Sequence, residues 1–197
     1  MIFKLNKFVV LILSMVLMAA WQGCDSSRDA APKEYSAINP QNDFTLKDQN
    51  GNVFRLKDHR GQVLILFFGY LQCPDVCPMA MSKLTRVYSL LGESVRPKIL
   101  TLFVSIDPQR DTPEKLKEYL EYFKINAVGL TGTKTEIDAV VDAYKAMYQK
   151  VDTGSAAGYL FDHSDYLYVI NKEGKVYYLV HSDDKPEKVA QVIKKIL

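Results

Sequence analysis

The chain has 197 residues, 48% hydrophobic and 24% charged, which is enough for one ordinary globular domain with one core. Its formal net charge is +2, and the two cations of residues 1–23, Lys4 and Lys7, account for all of it. The remainder is neutral and offers no electrostatic footing for nucleic acid, and three cysteines are too few for the two pairs of a common structural zinc site.

Residues 1–23 read as a targeting segment: a positive start, then an almost unbroken apolar run over 8–21, then the polar stretch 25–43. Cys24 directly follows Gly23 at the end of that run. Its position resembles the acceptor cysteine of a bacterial lipoprotein, although Trp21 and Gln22 stand where a leucine and a small residue are usual. Lipidation of Cys24 is the reading taken, ahead of an uncleaved anchor or ordinary cleavage nearby. All three place the domain on the extracytoplasmic, periplasmic side in an oxidising compartment, and the first two hold it on the membrane. Residues 24–43, rich in Ser, Ala, Pro, Asn and Asp, form a tether, and 44–197 form the folded domain.

Within the domain, 44–46 and 53–56 flank the turn-rich Asp-Gln-Asn-Gly-Asn at 48–52, a hairpin signal. Residues 63–68 are apolar in succession, as in a strand buried on both faces. A helix is predicted over 79–91 from Met81, Leu84, Val87 and Leu91, closed by Gly92. A second strand spans 98–106. Thr112 and Pro113 then cap and open a helix whose inner face is Leu116, Tyr119, Leu120 and Phe123. A short strand at 127–130, a helix over 134–148 and a small, polar, mobile loop at 151–158 follow. Strands 166–170 and 176–180 pair as a hairpin, and 186–196 is a closing helix. The alternation predicts an α/β domain with a central mixed sheet flanked by helices. A thiol-bearing strand–helix junction followed by a terminal β-β-α makes the arrangement thioredoxin-like, with an added N-terminal β-hairpin.

The chemistry concentrates in FFGYLQCPDVCP at 67–78, which carries Cys73 and Cys77. Pro78 suits a first helical turn and biases Cys77 away from helical geometry, so the pair is expected in a loop at the helix N-terminus. The helix dipole and free N–H groups there favour thiolate. Two close thiolates form a disulfide or grip one soft metal ion. A structural disulfide would close only a tiny loop and add little stability. Three intervening residues, rather than two, weigh against a thioredoxin-type exchanger without excluding one. His163, in FDHSD at 161–165, precedes the 166–170 strand, where a thioredoxin-like topology brings the chain against the cysteine loop. One imidazole and two thiolates suit copper better than hard cations. His59 and His181 are expected to be solvated, and Met79 and Met81 to pack on the helix rather than ligate. The acidic segment Asp107–Asp111 falls on the same sheet edge, either to attract a cation or partner or to cap a turn.

The segments YLQCPDVCP (70–78), SIDPQRDTPE (105–114) and DHS (162–164) resemble the three signature segments of the Sco/SenC family, membrane-anchored thioredoxin-like copper proteins. The resemblance implies copper held by Cys73, Cys77 and His163. It also implies a chaperone, not an enzyme, that supports assembly of the dinuclear copper centre of cytochrome c oxidase. The implied partners are oxidase subunit II or a similar copper acceptor, a copper donor or thiol reductant, and the membrane through the N-terminus. Leu71 and Gln72 depart from the threonine–histidine or similar pair frequent in the family, and neither change removes a ligand. The alternative is a thiol–disulfide reductase, with Cys73 and Cys77 as its redox-active pair, that keeps the acceptor's cysteines reduced.

Overall fold

A computed structural model describes residues 43–154 and 158–197. The targeting segment, most of the tether and Cys24 lie outside the described residues. Among the described residues no helix is long and apolar enough to cross a membrane.

The chain opens with the expected hairpin, β1 (Thr45–Asp48) and β2 (Val53–Arg55), in antiparallel register Leu46↔Phe54. Asp48 makes the turn by accepting from the backbone N–H groups of Asn50 and Asn52, both at 2.8 Å. Next come β3 (Val63–Gly69), α1 (Val76–Leu91), β4 (Ile99–Ser105), α2 (Pro113–Phe123), β5 (Ala127–Thr131) and α3 (Lys134–Ala143). The chain ends with β6 (Tyr148–Asp152), β7 (Tyr159–His163), β8 (Leu167–Ile170), β9 (Val176–Val180) and α4 (Pro186–Ile196).

Seven strands form one mixed sheet in the order β2-β1-β5-β4-β3-β8-β9. Its centre is β3 parallel to β4, from Val63↔Ile99 to Gly69↔Ser105, and every residue of both strands is buried. That is the physical meaning of their continuous apolar runs: neither face meets water, so no alternation is needed. The β-β-α close follows as expected, with β8 antiparallel to β3 and to β9. The fold is thioredoxin-like α/β with the N-terminal hairpin added at one sheet edge. Local chemistry sets the helix starts. Thr112 Oγ1 accepts from Lys115 N at α2, and Thr133 with Glu136 forms a capping box at α3. Phe68, Tyr144 and Tyr168 pack edge-to-face as an aromatic knot in the core.

Three expectations need correction. Helix α1 starts at Val76, so Cys77 lies in its first turn rather than in a loop. Pro78 is tolerated there because the first N–H groups of a helix have no intrahelical acceptor, and Met79 N makes the first return bond, to Asp75 O. Helix α3 stops at Ala143, well short of 148, because Lys145 adopts left-handed φ 54°. The stretch read as a helix end and mobile loop contains β6, which pairs antiparallel with β7 as a separate two-stranded ribbon, Tyr148↔His163 through Asp152↔Tyr159. His163 is therefore the last residue of a strand, not part of a loop. Residues 155–157 lie outside the described residues.

Candidate metal centre

The two cysteines hang from the buried end of β3. Gly69 closes the strand, and Ile106 N donates to its carbonyl at 2.9 Å, which ties the exits of β3 and β4 together. The loop then turns on Cys73 N donating to Tyr70 O, and α1 delivers Cys77. The loop has an internal brace. Leu71 N donates to Asp111 Oδ2 at 3.1 Å, and the same oxygen accepts from Ser105 Oγ at 2.7 Å. Asp111 and Asp107 are 1% and 2% exposed, so the acidic segment is scaffold for the cysteine loop rather than a surface lure for cations. Burial pushes the Asp111 carboxyl up to about 6, against the pull of the Ser105 hydroxyl and the Leu71 N–H.

His163 arrives from the opposite direction on β7. The buried Tyr70 hydroxyl docks that strand by accepting from Phe161 N at 3.1 Å and donating to Phe161 O at 3.4 Å. Phe67 and Tyr70 meet the imidazole edge-on, with centroids 6.0 and 5.7 Å away. His163 Nδ1 lies 2.9 Å from Ser164 O, an oxygen that can only accept, so Nδ1 carries the proton and Nε2 offers its lone pair. Nε2 stands 3.9 Å from Cys73 Sγ and 3.6 Å from Cys77 Sγ.

All three donor atoms lie within 4.8 Å of one another. An ion bonded to three in-plane N and S donors at about 2.0–2.3 Å holds them roughly 3.5–4 Å apart, so the cluster has the dimensions of a three-coordinate soft-metal site. Gly69 makes room for it, because a Cβ there would sit 2.9 Å from Cys77 Sγ.

The thiols are unequal. Cys73 is drawn well below the ordinary thiol range, first by the hydrogen bond from the Cys77 thiol, with the Cys77 and Asp75 N–H groups adding to it against partial burial. The Cys77 N–H donates to Cys73 Sγ at 3.4 Å. Cys77 is pushed upward, first as the donor to Cys73 and then by complete burial. Cys73, half-buried at the rim, is thus the more readily ionised thiol, and Cys77 is the fully buried one beneath it.

Neither of the other histidines joins this cluster. His59 is half-buried and stacks on Phe54, with centroids 4.5 Å apart, and its Nδ1 is 3.2 Å from Gln62 Oε1, so it is less solvated than expected. His181 is exposed beside Tyr166. Met81 packs in the core as expected, whereas Met79 is 57% exposed and packs on nothing comparable. Sequence reasoning missed Tyr70, Arg110 and Tyr159. Their bonds reach 38–91 positions along the chain, and no local pattern carries such pairings.

Comparison with known proteins bears on this geometry. The family described as SCO1/SenC matches residues 32–197. An SCO2-like protein of Rickettsia felis is 37% identical over 153 residues, 77% of this chain and 74% of its own length. Among solved structures, Bradyrhizobium japonicum ScoI with copper bound is 34% identical, with a TM-score of 0.72 over 79% of this chain and 98% of that one. Yeast Sco1 with copper bound is 32% identical, with a TM-score of 0.69 over 78% of this chain and 86% of that one.

Proposed function

The chain belongs to the SCO1/SenC family, and on that premise we propose that it is a membrane-anchored copper chaperone that binds copper through Cys73, Cys77 and His163. The observation that carries this reading is the cluster, single among the described residues, of two thiols and one imidazole with Nε2 toward them at metal-ligand spacing. Thiolates select Cu(I), and an added imidazole accommodates Cu(II). Relatives of the same fold have been solved with copper bound.

Copper is the cargo here. Cys73, the more exposed and more readily ionised thiol, is the donor an incoming acceptor thiolate can displace first. Cys77, buried and braced by α1, holds the ion until the exchange completes. Each bond to a donor sulfur is replaced by one to an acceptor sulfur, so the ion moves without change of oxidation state. The acceptor proposed is the dinuclear copper site of cytochrome c oxidase subunit II or a similar copper protein, with a separate copper donor upstream. The N-terminal segment, with lipid on Cys24, is proposed to hold the domain at the periplasmic face of the membrane.

The full chain, reduced in detergent, should take up about one copper per molecule. Cys73→Ser and Cys77→Ser should each lower affinity by more than the roughly 100-fold that loss of an outer-shell partner costs. His163→Ala should weaken Cu(II) more than Cu(I). Unchanged affinity in all three variants would sink the assignment.

A second reading has its own support. A more readily ionised rim thiol above a buried one whose ionisation is suppressed is the pairing a dithiol reductant uses. Oxidase assembly that survives His163→Ala and fails with either serine variant would transfer the function to thiol reduction.

A further inference from the structure

We propose that Arg110 is a positioning residue whose guanidinium clamps the cysteine loop to the β6–β7 ribbon and thereby sets where His163 stands over the two thiols. The proposal rests on the copper reading above, but its geometry is independent of any ion. Arg110 Nε is ion-paired with Asp107 Oδ2 in the turn after β4. Its Nη1 donates to Gln72 Oε1 at 2.9 Å, one residue before Cys73, and to the Tyr159 carbonyl at 2.9 Å, the first residue of β7. The guanidinium carbon also lies 3.6 Å from the Tyr159 ring centroid. The circuit closes where the Tyr159 hydroxyl donates to Asp107 Oδ1 at 2.9 Å. Lys150, on β6, places its ammonium 3.6 Å from the same ring.

Three segments far apart in sequence thus meet on one side chain that is 16% exposed. A rigid planar fork can bond a carboxylate, an amide oxygen and a carbonyl while stacking on a ring; a lysine is a single point charge and cannot. The ribbon needs such an anchor. β6 is almost wholly exposed and β7 only half-buried, and a two-stranded ribbon is marginal in water without packing. Tyr70 pins the middle of β7 and Arg110 its start, so His163, at its end, inherits its position from both.

The test uses Arg110→Lys in the full chain, alone and combined with His163→Ala. We expect Cu(II) affinity to fall roughly 10- to 100-fold, the loss seen for partners that orient metal ligands, with Cu(I) affinity changed less than threefold. The thiolate-to-Cu(II) absorption should move to that of His163→Ala, and the double variant should bind no more weakly than His163→Ala alone. In metal-free protein, amide exchange over 159–163 should speed at least tenfold while β3 stays protected. Equal losses for both oxidation states, or a further loss in the double variant, would show that Arg110 serves only the 105–111 turn. If Arg110→Lys does not fold, Tyr159→Phe opens the same circuit by removing one hydroxyl. It should shift ribbon exchange and Cu(II) affinity in the same direction by a smaller factor, and normal values for both would overturn the clamp. If the parent chain took up no copper, the proposed function would fail while the exchange measurement still judged the clamp.

Discussion

The central sheet and the two-stranded ribbon are built on opposite physical plans. Strands β3 and β4 are buried at every position, and burial of their apolar runs offsets the entropy of ordering them. The ribbon has one almost wholly exposed strand and depends on a few polar and aromatic contacts: Tyr70 to Phe161, Arg110 to Tyr159, and Tyr148 edge-on to Phe161 at 5.5 Å. The site spans both plans. Two sulfurs ride on the rigid part and one nitrogen on the conditional part. A metal carrier must hold its ion and also release it. On the copper reading proposed above, the ion would sit between two sulfurs fixed by the sheet and a nitrogen carried by the less buried ribbon.

Substitutions can probe that contrast. Leu66→Ala, at a fully buried position in β3, should cost about 2–5 kcal/mol, whereas Val151→Ala, on the exposed flank of β6, should stay within about 0.5 kcal/mol. Denaturant midpoints measure both, and similar costs would erase the distinction. Gly69→Ala tests the junction. Its new methyl would meet Cys77 Sγ and Phe67 at 2.9 Å and Phe103 at 3.0 Å, for a cost of about 1–3 kcal/mol and a displaced sulfur. Lowered stability with unchanged copper affinity would mean that Cys77 does not need that space.

Tyr70→Phe removes the hydroxyl that serves both Phe161 backbone groups, at a cost of about 1 kcal/mol. Its effect should appear as faster amide exchange in the ribbon at a nearly constant Tm. A drop in Tm without faster ribbon exchange would place that bond in the core's cooperative unit.

A pH-dependent effect concerns Asp111, whose carboxyl burial raises from 3.8 to about 6. Between those values the folded chain binds a proton the unfolded chain has released, so stability declines as pH rises through about 4 to 6 and recovers as pH falls. Asp111→Asn should flatten that slope in the metal-free protein, a difference of a few degrees in Tm by calorimetry. An unchanged slope would assign the pH dependence to other groups.

The pieces legible in the sequence were those with a local cause. Successive apolar residues marked β3 and β4, Thr112-Pro113 marked the start of α2, Asp-Gln-Asn-Gly-Asn marked the first turn, and the CPDVCP spacing marked the thiols. His163 was found as a candidate, though as a loop residue rather than a strand end. The ribbon itself was illegible because its partly exposed strands lack the two-residue hydrophobic alternation that gives most strands away, and because Lys145 ends α3 by a left-handed turn without glycine.

Sequence alone therefore determined the candidate donors, the core strands and the family, because close spacing and unbroken hydrophobicity act over a few residues. Tertiary structure decided which thiol ionises more readily, which imidazole nitrogen faces the sulfurs, and what the buried acids brace. Each of those depends on a partner 4 to 40 positions away or on how the strand end turns the imidazole toward the next residue's carbonyl, and only the closed structure sets such distances.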